Sequence, residues 1–101
     1  MQIYNVNVLP IAREDVAEIY YYIALDNSNA ALTVTNNIMD KIDTLSSFPE
    51  RCPLIPDGTL AKQGYRMLII GSYIAFFKVL EINVLVYRVL HGKRDYPQLL
   101  E

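Results

Sequence analysis

Tyr65-Arg66-Met67-Leu68-Ile69-Ile70-Gly71-Ser72-Tyr73-Ile74-Ala75-Phe76-Phe77-Lys78-Val79-Leu80-Glu81-Ile82-Asn83-Val84-Leu85-Val86-Tyr87-Arg88-Val89-Leu90 reads as three strands joined by two tight turns. The runs Tyr65 to Ile70, Tyr73 to Leu80 and Val84 to Leu90 are rich in β-branched and aromatic residues, the composition of strands. Links as short as Gly71-Ser72 and Glu81-Ile82-Asn83 join antiparallel neighbours, because parallel ones need a long crossover. The C-terminal half is therefore a β-meander. Its last strand empties into His91-Gly92-Lys93-Arg94-Asp95, which places the only histidine and two adjacent cations where a rigid sheet meets a loop.

Upstream of the meander the periodicity changes. Ile3 to Leu9 alternates with period two and reads as a first strand, with Tyr4, Val6 and Val8 on one face and Pro10 ending it. From Ala12, the residues Val16, Ile19, Tyr20 and Ile23 form one helical stripe, with Glu14, Asp15 and Glu18 near the positive end of the helix dipole. Asp26-Asn27-Ser28-Asn29 stops this helix. A second helix is expected from about Ala30 to Ser46, with Ala31, Val34, Ile38, Ile42 and Leu45 as its apolar stripe. The short link makes an antiparallel helical hairpin. Pro49 to Gly64, with three prolines and Asp57-Gly58, reads as a long irregular loop. After Asp95, Tyr96 to Leu100 suits a short terminal helix.

The order β-α-α-β-β-β predicts one α+β domain over residues 1–101, a helical hairpin on a mainly antiparallel four-stranded sheet. Strict alternation would put Val84, Val86, Arg88 and Leu90 on one side of the last strand, and Leu85, Tyr87 and Val89 on the other. Both faces are thus apolar, yet two helices cover only one. Either the sheet curls over a second small core or a partner covers it.

Composition narrows the function classes. The chain of 101 residues is 52% hydrophobic, with a formal net charge of −2. That charge argues against broad nucleic-acid binding, although residues 60–95 hold Lys62, Arg66, Lys78, Arg88, Lys93 and Arg94 against Glu81 and Asp95. No run approaches a membrane span, and the N-terminus lacks a signal pattern, so a cytoplasmic location is expected. Cys52 is the single cysteine and lies in the Pro-rich stretch with no visible orienting group, which disfavours a Cys-His nucleophile. One Cys and one His do not build a zinc site, and no Gly-rich phosphate loop is present. No cofactor or metal is expected.

The whole pattern resembles the RelE/ParE superfamily of type II toxin-antitoxin toxins, which includes plasmid stabilisation proteins. The resemblance runs through Leu9-Pro10-Ile11-Ala12, Asp15, Ile19 and Tyr22-Ile23, then Ile42, Leu45 and Phe48-Pro49. It continues through Gly64-Tyr65-Arg66 and Tyr73-Ile74-Ala75-Phe76 to Arg88-Val89-Leu90-His91-Gly92-Lys93-Arg94-Asp95. It implies the fold just described and a toxin that arrests bacterial growth, neutralised by a cognate antitoxin in a hetero-oligomer. RelE-like members resemble ribosome-dependent mRNA endoribonucleases, which would use Arg66, His91 and Arg94 here. ParE-like members resemble non-enzymatic poisons of DNA gyrase. In RelE-like toxins an arginine commonly follows the tyrosine of the middle strand, where this chain has Ile74 after Tyr73. A C-terminal tyrosine is likewise not evident, and the chain is acidic. Arg66 and the ending Leu90-His91-x-x-x-Asp95 are closer to the ParE-like branch, which is the favoured reading, with mRNA cleavage as the alternative.

Four residues are expected to engage the target: Arg66, His91, Lys93 and Arg94. Arg66 has an equally weighted structural reading, as an anchor of the sheet. Arg88 reads as structural, a strand cation reaching a carboxylate. Tyr20, Tyr21 and Tyr22 point in successive directions around one helix, so they cannot all face the core. Tyr21 and Tyr22 are expected to meet the antitoxin, whose C-terminal segment would fold on binding.

Overall fold

The computed structural model describes residues 2–100. Strand β1 (Asn5–Val8) leads into helix α1 (Pro10–Ala24), then α2 (Ser28–Asp43). Short 3-10 turns at Thr44–Ser46 and Pro49–Arg51 and a five-residue helix α3 (Gly58–Lys62) fill the linking stretch. Strands β2 (Arg66–Ile70), β3 (Tyr73–Leu80) and β4 (Asn83–His91) follow, and α4 (Pro97–Leu100) ends the described chain. The sheet order is β1-β4-β3-β2. β2-β3 and β3-β4 are antiparallel and β1-β4 is parallel, so the sheet is mixed and mainly antiparallel.

Local chemistry explains most boundaries. Pro10 does not merely end β1. It opens α1 at the first helical position, where a missing N–H is no loss. Asn27 caps α2, its side chain accepting from the Ala30 amide at 3.0 Å. Asp57-Gly58 does not belong to an irregular loop, as the sequence suggested, but opens α3. Asp57 caps α3 by accepting from the Leu60 amide at 3.0 Å. Gly71 takes φ +60 in the β2-β3 turn, a conformation glycine adopts without strain.

The hairpin α1-α2 packs on one sheet face. Ala12, Ile38, Ile42 and Leu45 meet Ala75, Phe77, Val84, Val86 and Val89 in a continuous core, joined by Tyr4 and, from β1, by Val6 and Val8. The opposite face holds a second small core of Ile55, Leu60, Tyr65, Phe76, Leu90 and Leu100. Residues of the 55–65 segment and of α4 cover that face, which resolves the two-faced sheet without a partner.

Strict alternation fails in β4. Phe76 opposes Arg88 while Phe77 opposes Val86, so Tyr87 is an extra residue in a β-bulge. The bulge reverses inside and outside beyond it. Val89, not Leu90, joins Val84 and Val86 in the helix-side core, and Leu90 packs with Tyr87 in the second one.

Candidate functional site

β1 leaves the sheet at Val8, which pairs with Val86. The last ladder bond there runs from the Leu9 amide to the Val86 carbonyl at 3.0 Å. Beyond that point the edge of β4 would be bare, and Asp15 of α1 takes the place of a strand. Its Oδ2 accepts from the Val89 amide at 3.0 Å and from Arg88 Nε at 2.7 Å, and its Oδ1 accepts from Arg88 Nη2 at 2.9 Å. The remaining guanidinium nitrogen, Nη1, donates to the Leu99 carbonyl at 3.2 Å. One buried carboxylate and one arginine thus tie α1, β4 and α4 together. The Asp15 hydrogen bond holds the Arg88 guanidinium above its ordinary pKa, against the opposing effect of burial.

This tie spaces α1 from the C-terminal end of β4 and leaves a groove of about 470 Å³ between them. Glu18, Ile19 and Tyr22 form the helical wall, and Tyr73, Leu90, His91 and Arg94 form the other. The His91 ring meets Tyr73 edge-on at 5.5 Å. Its Nδ1 accepts from the Lys93 amide at 3.2 Å, which leaves Nε2 as the free ring nitrogen. The turn is pinned by Gly92 N–H to the Ser72 carbonyl (2.8 Å) and Arg94 N–H to the His91 carbonyl (2.9 Å). The groove can therefore offer aromatic surface, one imidazole, one guanidinium and the Glu18 carboxylate to a bound chain.

Of the residues singled out in the sequence, His91, Arg94 and Tyr22 come together here. Lys93 is exposed beside the groove without lining it. Tyr21 is exposed and packs edge-on against Tyr20. Arg66 stands apart. It pairs with Phe77, whereas His91 pairs with Tyr73, a separation of about 13 Å along the sheet. Its Nη1 donates to the Cys52 carbonyl at 2.7 Å and the Glu50 carbonyl at 3.4 Å, fastening the 50–54 segment to β2. Asp15 was read from sequence as a dipole-compensating acid, and its part in the site was missed. The signal was present: Asp15 sits three residues after Ala12 and four before Ile19, on the buried stripe. Among the described residues no group of three or more His, Cys, Asp or Glu side chains is placed to hold a metal.

A family described as the ParE toxin of the type II toxin-antitoxin system parDE matches residues 6–96. The chain belongs to this ParE toxin family. This ParE-family chain has the superfamily's fold. A chain of the chromosomal ParDE toxin-antitoxin system from P. aeruginosa superposes with a TM-score of 0.73 at 20% identity, covering 88% of this chain and 96% of that one. A chain of the toxin-antitoxin complex RelBE2 from Mycobacterium tuberculosis superposes with a TM-score of 0.60 at 22% identity, covering 88% and 98%. A search of curated proteins found no match. Among the described residues no helix is long and apolar enough to cross a membrane.

Proposed function

We propose that this ParE-family toxin arrests bacterial growth by binding DNA gyrase, without covalent chemistry of its own, and that a cognate antitoxin neutralises it in the cytoplasm. The observation that carries the binding reading is the place of Arg66. Phosphodiester cleavage needs cations and acid-base groups converging on one phosphate. Arg66 is committed to two backbone carbonyls far from His91 and Arg94, and the groove that holds those two also holds Asp15 and Glu18. His91, Lys93 and Arg94 then serve as target contacts on a pinned turn, and Arg66 serves by positioning the 50–54 segment. The P. aeruginosa neighbour, a ParDE system, supports both the branch and the antitoxin partner.

The nuclease alternative draws on one observation, the joint presence of Tyr73, His91 and Arg94 in the groove. Pulse-labelling of DNA and protein synthesis after inducing the chain alone separates the two. Gyrase poisoning stops DNA synthesis first. Protein synthesis stopping first, with codon-biased mRNA cleavage lost in Arg94→Ala, would sink the binding reading.

Antitoxin recognition is proposed along α1. Tyr22 is 78% exposed and stands between the groove and a second depression of about 460 Å³ near Leu25. Large exposed tyrosines in such places dominate interfaces. Tyr22→Ala should weaken antitoxin binding by about 2 kcal/mol, roughly thirtyfold in Kd, in a calorimetric titration. Unchanged affinity would remove Tyr22 from the interface.

A further inference from the structure

Phe48 occupies the left-handed region, with φ 49 and ψ 56. Few bulky side chains adopt it, and the following Pro49 disfavours it further by steering its predecessor toward extended geometry. Burial does not compensate, because Phe48 is 65% exposed. The surrounding structure enforces the conformation instead. The Arg51 guanidinium donates to the Ser47 carbonyl at 2.6 Å, the Phe48 carbonyl at 3.1 Å and Thr44 Oγ1 at 2.8 Å. The Arg51 amide donates to the same Phe48 carbonyl at 3.0 Å, and Pro49 is fully buried. Strain held in this way gathers at functional positions, and a rigid, exposed aromatic is the kind of side chain that anchors an interface.

Phe48 borders a cavity of about 410 Å³ shared with Gln2, Tyr4, Glu50 and Arg51. Its walls are the Phe48 and Tyr4 rings, the Glu50 carboxylate, the Gln2 amide and the Arg51 side chain. Arg51 is engaged with backbone oxygens, and the single ion pair among the described residues is Arg88 with Asp15. No described cation therefore closes on Glu50. Burial first, then the Glu50 charge and its hydrogen bond with the phenol, hold the Tyr4 hydroxyl above its ordinary pKa, which fits a carboxylate beside that hydroxyl. A planar cation answers the two rings and the carboxylate: it stacks on aromatic faces and forks onto a carboxylate. We propose that this cavity receives an arginine side chain of a partner polypeptide, with Phe48 as the stacking anchor and Glu50 as the counter-ion. The site is independent of the α1 groove. Asn5 pairs with Asn83 at the near end of β4, and His91 ends that nine-residue strand about 27 Å away.

The test is a titration of the isotope-labelled protein with Nα-acetyl-arginine amide, followed by amide NMR shifts, with Nα-acetyl-leucine amide as the apolar control. Saturable shifts confined to residues 2–4 and 47–51 are expected with the arginine probe only. Glu50→Gln should weaken that binding about fivefold by removing the charge-assisted contact. Phe48→Gly should weaken it similarly while melting at a higher temperature than the parent, since glycine relieves the strain. The proposal is overturned by an absence of saturable shifts, by equal response to the leucine probe, or by a Phe48→Gly protein that binds the arginine probe undiminished.

Discussion

Asp15 and Arg88 show how much one pair can decide. The carboxylate receives three hydrogen bonds, one of them from the backbone of Val89, so neither partner is left with a bare charge in the interior. Removing one partner of such a pair costs roughly 3–5 kcal/mol, a large part of the ~5–15 kcal/mol that holds a domain of this size. Arg88→Met and Asp15→Asn should each lower the free energy of unfolding by that much, read from urea titrations as a fall in the midpoint. The double replacement Asp15→Asn/Arg88→Met should lose less than the sum of the single losses. Additive losses would mean that the two side chains do not act as a pair. The sequence displayed both members, an acid on an apolar helical stripe and an arginine inside an apolar strand. Their meeting was not readable, because 73 positions separate them and only the fold closes the distance.

Whole elements were legible where a strong period coincided with a buried face. The α2 stripe is the clearest instance: Ala31, Ile38 and Ile42 are fully buried and Val34 partly so, while Leu45, expected in the same helix, is buried from the 3-10 turn that follows it. The stretch from Pro49 to Gly64 was not legible, because α3 has a single buried side chain, Leu60, and no period can be seen in five residues. What holds α3 is its cap. Asp57→Ala should cost about 1 kcal/mol, and hydrogen exchange should accelerate at the Leu60 amide while α2 keeps its protection. Uniform acceleration across both helices would show that α3 does not open on its own. The bulge at Tyr87 was equally hidden. An inserted residue leaves the composition of β4 unchanged and alters only which carbonyl meets which amide across to β3.

For the molecule as a whole, the two cores set the response to alkali. Burial raises the Cys52 thiol above its ordinary value, outweighing the lowering by Arg51 and Arg66. Burial, followed by Tyr87, raises the Tyr65 phenol in the same way. In both cases the folded state keeps its proton longer than the unfolded chain does. The associated stability is therefore present below the unfolded pKa values and is lost as pH rises through the folded ones. Denaturant midpoints should fall from about pH 9 upward. Cys52→Ala and Tyr65→Phe should each flatten the fall, and an unchanged slope in both would place its origin elsewhere.

Sequence alone determined the order of the strands and the two long helices, the helical hairpin, the meander and the family, because hydrophobic periodicity and turn chemistry act over a few residues at a time. It also showed that both sheet faces are apolar. Tertiary structure alone decided which side of the bulge each β4 residue faces and that Asp15 caps the strand edge that β1 leaves bare. It alone set Arg66 apart from His91 and Arg94, and brought Tyr22 to them. Those outcomes depend on the register between strands and on contacts between residues far apart in the chain, and no local pattern encodes such distances.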